Sequence, residues 1–350
     1  MKAVVTPAFG PPDVLELRDV PRPEVPSSHV LIQIGFSGVC RHDLLTRAGA
    51  FPAVKLPRIQ GHQISGRVVE LGLGVDQGLL GQLVTTMLHV GCGHCASCRS
   101  GDQSRCTEQM PLFLGDELDG SYAEYISVPA GIVVPIPDGL DLASAAMANC
   151  TFGTAWHAIV ARGRFRSGDI VAVTGATGGV GLHTLKVLHH LGIESVAVTS
   201  RSSAEAMLRD AGADHVIVAT ESWAAVARRQ GLQRLSGVID CVGGSSIEQA
   251  LRAIRAGGTI VQLGNVAGGK AEISPALLLL KETQIIGSKS ATRSELECVL
   301  TLMREGSLAL EISEEVPLSR VATAHEQLEA GLAGFGRIAI RIAEVGDGNI

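Results

Sequence analysis

The sequence has few charged residues and no long cluster of basic ones. Charged side chains make up 18% of the 350 residues, and the formal net charge is −6. Binding of nucleic acid or of an anionic membrane surface depends on concentrated Lys and Arg. Their absence argues against both partners and favours a small-molecule substrate.

Long apolar runs are also missing. The N-terminal stretch MKAVVTPAFGPPDVLEL has no extended apolar segment, and Lys281 and Glu282 interrupt the apolar stretch PALLLLKETQII. A signal peptide or a membrane-spanning helix needs a longer run. We therefore expect a cytoplasmic protein in a reducing compartment, where clustered cysteines bind metals more often than they form disulfides.

Apolar material for buried cores is abundant. Hydrophobic residues account for 46% of the sequence, which argues against a disordered chain. A length of 350 residues exceeds the usual size of one compact domain. Together these properties predict two folded domains.

Four cysteines lie within one glycine-rich stretch, GCGHCASCRSGDQSRC. Cys92, Cys95, Cys98 and Cys106 have the spacing to surround one tetrahedral zinc, and the glycines permit tight turns between them. Four thiolates leave no open coordination position, so such an ion holds a loop together and performs no chemistry. The alternatives are an iron–sulfur cluster, a disulfide pair, a site that has lost its metal, and a zinc ribbon that binds nucleic acid or protein.

A nucleotide-binding motif favours an enzyme over a zinc ribbon. In DIVAVTGATGGVGLHTLKVLHHLGI, an apolar run precedes a glycine turn and an apolar pattern with helical spacing. A strand, a glycine turn and a helix in this order bind a dinucleotide pyrophosphate on the helix N-terminal amides. The turn residues are Gly175, Gly178, Gly179, Val180 and Gly181. Strand and helix patterns alternate downstream, which predicts a doubly wound parallel sheet, a Rossmann domain, over residues 150–286.

The end of the second strand in this domain favours NADP(H) over NAD(H). NAD sites place a carboxylate there to accept hydrogen bonds from the ribose hydroxyls, whereas this chain has Thr199, Ser200 and Arg201. A guanidinium group neutralises a 2′-phosphate, and a serine hydroxyl can donate to it. We therefore predict that Ser200 and Arg201 bind this phosphate; the alternative is that Arg201 is an ordinary solvated surface residue.

The first 149 residues have a different pattern, with short alternating segments, many Gly and Pro residues and little helix. This pattern predicts an antiparallel, barrel-like domain. Cys40 and His62 lie within it, and Cys150 lies at its far edge. Taken singly, each of these three residues is more often part of a core than a metal ligand.

Several motifs together resemble the zinc-containing medium-chain alcohol dehydrogenase superfamily. They are, in chain order, GFSGVCRHDL, PRIQGHQISGRVVELG, the four-cysteine loop, NCTFGTAWHAI, VTGATGGVG and FGRIAIRI. The resemblance implies a GroES-like β-barrel catalytic domain, formed by residues 1–149 and 287–350, and the Rossmann domain at 150–286. It also implies a second zinc, which is catalytic.

By the same resemblance, the catalytic zinc is bound by Cys40, His62 and Cys150, and one position stays open for water or a substrate oxygen. Such a zinc acts as a Lewis acid on an alcohol or carbonyl oxygen, and hydride passes to or from the nicotinamide. Asp43 matches a family carboxylate near the metal and is expected to orient the His62 ring. Thr154 matches a position near the nicotinamide; a helix-start hydroxyl is the alternative.

Two residues depart from the family pattern. Gln63 stands where the family has a glutamate thought to assist ligand exchange, so it either approaches the zinc or only forms a hydrogen bond nearby. His42 stands where many alcohol dehydrogenases have a Ser or Thr that starts a proton relay. Imidazoles titrate close to neutral pH, which suits His42 to carry that proton itself.

These departures leave two reactions open. The stretch LGNVAGGKAEISPALLLLKETQIIGSKSATRSEL is particularly similar to the acryloyl-CoA reductase branch, whose members reduce an activated carbon–carbon double bond with NADPH. The open zinc triad favours a zinc-dependent NADP(H) alcohol dehydrogenase, which we predict, with NADPH-dependent ene reduction as the alternative. A non-enzymatic zinc-binding scaffold is a remote third hypothesis. The resemblance also implies a homodimer or homotetramer built through the Rossmann sheets.

Overall fold

The computed structural model describes residues 1–232, 234–265 and 268–345 of the chain. Val266 and Ala267 of the stretch similar to acryloyl-CoA reductases, and residues 346–350 of the expected catalytic domain, lie outside this description. The chain forms two compact units, Met1–Cys150 together with the chain from Ala291 onward, and Thr151–Ser290. For comparison, the sequence predicts boundaries at 149/150 and 286/287.

Short strands dominate the chain up to Cys150. The strands are β1 (Lys2–Thr6), β2 (Glu16–Asp19), β3 (His29–Val39), β4 (Arg58–Ile59), β5 (Ile64–Leu71), β6 (Leu83–Thr86), β7 (His89–Val90), β8 (Leu112–Phe113), β9 (Tyr125–Pro129) and β10 (Val133–Pro135). The helices are α1 (Arg41–Arg47), α2 (Ala96–Arg99) and α3 (Leu142–Met147).

Strands and helices alternate in the next segment and in the C-terminal part. The former contains α4 (Thr154–Trp156), β11 (Ile170–Thr174), α5 (Gly179–His190), β12 (Glu194–Thr199), α6 (Glu205–Asp210), β13 (His215–Val218), α7 (Trp223–Arg229), β14 (Leu235–Asp240), α8 (Ser245–Ala253), β15 (Ile254–Gln262), α9 (Pro275–Lys281) and β16 (Gln284–Gly287). The latter contains α10 (Arg293–Arg304), β17 (Ile312–Pro317), α11 (Val321–Glu329) and β18 (Arg337–Arg341).

The first unit is built on a mainly antiparallel sheet around β3, in which β17 pairs parallel with β18. The sheet order is β10-β6-β5-β3-β18-β17, and β9 also pairs with β3. β3 is buried along most of its length, and it pairs antiparallel with β5, β9 and β18. The predicted antiparallel, barrel-like fold is therefore confirmed, and C-terminal strands complete the sheet that the N-terminal part begins.

The second unit is a parallel sheet with helices between its strands. The strand order is β13-β12-β11-β14-β15-β16, and the pairings along it are parallel. The apolar run of β11 is buried, as expected for an interior strand of a parallel sheet with helices on its faces. The predicted doubly wound sheet is confirmed, and its order reverses between β11 and β14, where such sheets bind their ligands.

Among the described residues, no helix combines the length and the apolar character that crossing a bilayer requires.

Candidate metal and cofactor sites

Cys40 occupies the position immediately before α1. Its Sγ accepts a hydrogen bond from the backbone N–H of His42 at 3.3 Å, and its own N–H donates to Asp43 Oδ2 at 2.8 Å. This reciprocal cap fixes the thiol and the carboxylate relative to one another. The short sequence CRHD therefore positions two of the predicted site residues at once.

His62 lies just before β5 and is held by Asp43. Asp43 Oδ1 lies 2.9 Å from His62 Nδ1, and both side chains are almost fully buried, with exposed fractions of 1% and 2% for His62 and Asp43. An Nδ1–H that donates to this carboxylate leaves the lone pair on Nε2. The ring thus presents an acceptor nitrogen on the side opposite Asp43.

Three possible metal-binding atoms converge in the first unit. They belong to the three residues that the family resemblance assigns to the catalytic zinc. Cys40 Sγ, His62 Nε2 and Cys150 Sγ all lie within 4.8 Å of one another, and both sulfurs are 3.4 Å from His62 Nε2. Zinc bonds of about 2.3 Å to sulfur and about 2.0 Å to nitrogen place a tetrahedral pair roughly 3.5 Å apart. The donor set and its spacing fit a zinc ion.

The charges around this group attract a cation. Burial opposes ionisation of the Cys40 thiol, but the hydrogen bond with Cys150 and the charge of His62 hold its pKa well below the usual value. Burial likewise opposes charge on His62, yet Asp43, Cys40 and Cys150 raise the pKa of the ring well above its usual value. Thiolate and carboxylate charges therefore draw positive charge to this point, which is what a divalent-cation site requires.

Gln63 has a partner other than the three ligand atoms. Its Oε1 accepts a hydrogen bond from Arg337 Nη2 at 2.6 Å, and both residues are buried. Burial opposes the charge of Arg337, while Cys150, Cys40 and Asp43 raise the pKa of the guanidinium. Gln63 thus forms a hydrogen bond with a cation, and its neutral amide does not cancel the charge of Arg337.

His42 forms a pair with a carboxylate that sequence reasoning did not identify. His42 Nε2 lies 2.7 Å from Asp116 Oδ2, and Thr46 Oγ1 donates to Asp116 Oδ1 at 2.7 Å. The His42 side chain is 32% exposed, whereas that of Asp116 is 8% exposed. The imidazole stacks on Phe51 with ring centroids 4.7 Å apart. A partly exposed imidazole held by a buried carboxylate is suited to proton transfer.

The four cysteines of the predicted structural site come together as one cluster. The Sγ atoms of Cys92 and Cys98 lie 3.9 Å apart, as do those of Cys95 and Cys106. Two zinc–sulfur bonds of about 2.3 Å span roughly 3.8 Å at a tetrahedral angle. A Cβ at Gly91 would lie 2.6 Å from Cys98 Sγ, so glycine is needed there for the sulfurs to converge.

Backbone hydrogen bonds favour the thiolate form of two of the four cysteines. Hydrogen bonds from the backbone at Thr107 and Cys98 lower the pKa of Cys95 to about 5, and the backbone at Cys92 lowers that of Cys106. Burial raises the pKa of Cys98 to about 12. Lowered pKa values beside a raised one are compatible with a cation-binding cluster. A bound metal ion deprotonates the cysteines that are still protonated without it.

The glycine turn of the second unit has the geometry of a dinucleotide site. Gly175 adopts a φ of +62°, which glycine reaches without steric cost. A Cβ at Gly181 would lie 2.4 Å from the Gly175 carbonyl oxygen, so α5 can pack this closely only with glycine there. Gly178 precedes α5 and Val180 lies in its first turn. The helix N-terminus thus follows β11 directly, as pyrophosphate binding requires.

The residues predicted to select the cofactor lie at the carboxyl end of β12. Ser200 and Arg201 are both exposed, and the Arg201 N–H donates to Thr199 Oγ1 at 3.0 Å. Thr154 is the first residue of α4, in the same unit, and is half-buried. The side chains at the end of β12 are thus accessible to a ligand and include no carboxylate.

Sequence reasoning missed two site residues. Arg337 left a weak signal, since it precedes the apolar residues of the strand RIAIR and is buried there. Asp116 left none, because it lies in the acidic loop segment GDELDG, where exposed carboxylates are ordinary.

Comparison with known families matches both units. Residues 26–138 match the alcohol dehydrogenase GroES-like domain, and residues 179–305 match the zinc-binding dehydrogenase family. An acryloyl-coenzyme A reductase of Sulfurisphaera tokodaii is 32% identical over 330 residues, covering 94% of this chain and 96% of that protein. An alcohol dehydrogenase of Geobacillus stearothermophilus is 32% identical over 347 residues, covering 98% and 100%.

Solved structures agree with these matches. A structure described as AibC has a TM-score of 0.90 and 35% identity, covering 98% of this chain and 96% of its own. A crystal structure of an NAD-dependent alcohol dehydrogenase also has a TM-score of 0.90, with 29% identity and coverage of 98% and 100%. The chain belongs to the zinc-binding medium-chain alcohol dehydrogenase superfamily, near its acryloyl-CoA reductase branch.

Proposed function

We propose that the protein is a zinc-dependent oxidoreductase that uses NADP(H) to interconvert an alcohol and an aldehyde or ketone. The observation that carries the proposal is the convergence of Cys40, His62 and Cys150. Within the described residues this group offers three ligand atoms, one fewer than a closed tetrahedral shell. Because Arg337 engages the Gln63 oxygen, a zinc held by these three residues would remain accessible to the substrate.

The side chains of the site have separate roles in the proposed reaction. Cys40, His62 and Cys150 would hold the zinc, and Asp43 holds the His62 ring with Nε2 facing the two sulfurs. When bound, the zinc supplies Lewis-acid polarisation of the substrate oxygen, and NADP(H) supplies or accepts the hydride. What remains for the chain to supply is a route for the proton.

We assign that proton to Nε2 of His42, which faces Asp116. His42→Ala is expected to lower kcat about 100-fold, because positioned general acids and bases contribute 10²–10⁴-fold. Loss of the imidazole is also expected to change the pH profile of kcat. Steady-state rates between pH 5 and 9 measure both effects, and an unchanged rate with an unchanged profile would remove His42 from the mechanism.

Ser200 and Arg201 are proposed to bind the 2′-phosphate of NADP(H). A charge-assisted hydrogen bond is worth about 1.5–3 kcal/mol, so Arg201→Ala is expected to raise the KM for NADPH roughly 10- to 100-fold and to leave that for NADH unchanged. Arg209→Ala is the matched control, because this exposed arginine pairs with Glu205. A wild-type preference for NADH, or an equal response of both variants, contradicts the assignment.

Ene reduction is the second candidate, because acryloyl-coenzyme A reductases are among the relatives with 32–33% identity. NADPH oxidation is measured with aldehydes and ketones in one series and with acryloyl-CoA and enones in the other, with and without a chelator. Carbonyl turnover that the chelator abolishes supports the proposed reaction. Alkene turnover that survives loss of the metal supports ene reduction instead, and neither cofactor binding nor turnover indicates a scaffold.

We also propose a homodimer or homotetramer formed through the parallel sheet. Within the described residues, β16 ends the strand order and is a sheet edge, which favours pairing with another strand. Leu279 and Leu280 of the adjacent α9 are each 77% exposed, an unusual amount of apolar surface to leave in water. Sedimentation equilibrium measures the subunit number.

A further inference from the structure

The four-cysteine loop (residues 91–106) is held to a neighbouring segment by a buried side-chain amide. Gln103 is 8% exposed and lies between the third and the fourth cysteine. Its Oε1 accepts a hydrogen bond from the Gly91 N–H at 2.8 Å, and its Nε2 donates to the Gly131 carbonyl oxygen at 3.2 Å. One side chain therefore connects the start of the loop, its last turn and the segment that leads into β10.

The same carbonyl receives a second donor from the start of α10. Arg293 is the first residue of that helix, and its Nη2 donates to the Gly131 oxygen at 2.9 Å and to the Val133 oxygen at 2.8 Å. Its backbone N–H donates to the Gly101 oxygen at 3.1 Å. A Cβ at Gly101 would lie 3.1 Å from the Arg293 Cβ, so the two segments are in close contact. The helix thus meets the four-cysteine loop through both its backbone and its side chain.

These contacts differ from those of an ordinary surface arginine. Arg293 Nη1 lies 3.6 Å from Glu297 on the same helix, and the Glu297 side chain is 52% exposed. Ion pairs of this kind contribute little to stability. The shorter contacts of Arg293 are with carbonyl oxygens that lie 162 and 160 positions away in the chain. Because a charged donor forms a stronger hydrogen bond than a neutral one, the guanidinium mainly connects distant segments.

We infer that Gln103 and Arg293 are positioning residues of the four-cysteine site: they hold the loop in the shape that brings its sulfurs together, and a zinc ion bound there in turn holds the start of α10. Such coupling is reciprocal, because contacts that favour metal binding are favoured by the bound metal to the same extent. The helix begins two residues after Ala291, where the chain returns to the first unit. The ion therefore orders a segment that is distant in the chain from its own ligands. The inference concerns the structural metal and does not depend on the proposed reaction.

Removing the donors of Arg293 is expected to weaken metal binding at the loop alone. Arg293→Met keeps most of the side-chain length and loses the hydrogen bonds to Gly131 and Val133. Loss of contacts that support a metal site typically costs 10- to 100-fold in affinity, and we expect a loss in that range. Arg293→Lys retains a charged donor and is expected to stay within about threefold of wild type. Arg304→Met is the matched control, since Arg304 lies on the same helix and pairs with the exposed Glu305.

Gln103 tests the same coupling from the side of the loop. Gln103→Met removes both of its hydrogen bonds with little change in volume, and a loss of about 10-fold in zinc affinity is expected. Affinity is measured on the full-length protein by competition with a chromophoric chelator. The wild-type and Cys40→Ala backgrounds are compared, because in the latter the metal measured is the one bound by the loop. Cobalt in place of zinc gives a second readout, since its sulfur-to-metal charge-transfer absorption grows with the number of bound thiolates.

The reciprocal effect is measured at the start of α10. Hydrogen exchange of the peptide 292–297 is compared between wild-type protein and Cys98→Ser, with α11 of the same unit as the internal reference. Without the loop metal, the Arg293 amide is expected to lose its Gly101 acceptor. Exchange at the start of α10 should then be roughly 10-fold faster, matching the change in metal affinity. Exchange in α11 should not change comparably.

The two measurements decide the inference together. Weaker binding of the loop metal in Arg293→Met and Gln103→Met, with Arg293→Lys and Arg304→Met near wild type, supports it, as does faster exchange confined to α10. Wild-type metal affinity in both Arg293→Met and Gln103→Met overturns it. The same follows if α10 exchanges at one rate with and without the loop metal. Exchange that rises equally in α10 and α11 also overturns it, because that pattern is a general loss of stability.

Discussion

Cys40→Ala is expected to lower kcat/KM for carbonyl reduction at least 1000-fold and to remove one zinc ion per chain. The sulfur is one of three ligand atoms that converge within 4.8 Å, and two protein ligands do not hold a catalytic zinc against competing water and chelators. Lewis-acid polarisation is worth several kcal/mol, and about 4 kcal/mol corresponds to 1000-fold. Steady-state kinetics and metal analysis of the same preparation measure both changes.

Cys298→Ala provides the control for this variant. Cys298 is an exposed free cysteine on α10, so its removal leaves activity and metal content at wild-type values. Cofactor binding to Cys40→Ala should also persist, since the glycine turn belongs to the other unit. Carbonyl reduction by Cys40→Ala within tenfold of wild type contradicts a catalytic role for the metal.

Cys98→Ser is expected to act on stability. Structural zinc sites contribute folding free energy directly, with apparent binding free energies of about 10–16 kcal/mol in small peptides. Even a loss of about 3 kcal/mol shifts the melting temperature of a large domain by roughly 5 °C or more. The metal content should fall by one ion per chain, and residual carbonyl reduction should persist below the new transition.

Differential scanning calorimetry and metal analysis check this prediction. The comparison is wild-type protein treated briefly with a chelator that removes only the metal at Cys40, His62 and Cys150. This protein should lose activity without the full loss of stability. A Cys98→Ser variant with an unchanged melting temperature and both ions present would show that the cysteine loop is held by its backbone contacts alone.

Features that depend on neighbouring residues were predictable from the sequence. The cysteines of the loop from Cys92 to Cys106 and the glycine turn after β11 carry their geometry in their spacing, because a few intervening residues limit where the ligand atoms can lie. Alternating and continuous apolar patterns likewise indicated the antiparallel and the parallel sheet. The resemblance to a known superfamily, rather than the spacing, linked Cys40, His62 and Cys150.

Contacts between distant segments were not predictable in this way. The partner of His42 is 74 positions along the chain, and that of Gln63 is 274 positions away. The same holds for Gly131 and Arg293, which are separated by 162 positions. Such pairs form only when the fold of the first unit brings distant segments of the chain together, and no local periodicity encodes that. The residues that tune the site were therefore visible only in the folded protein.

Elemental analysis of protein purified without chelators tests the central claim most directly. Two separate donor sets, one of four sulfurs and one of two sulfurs and a ring nitrogen, predict two zinc ions per polypeptide. A content of one ion or fewer in folded protein would contradict the claim that Cys40, His62 and Cys150 hold a catalytic metal.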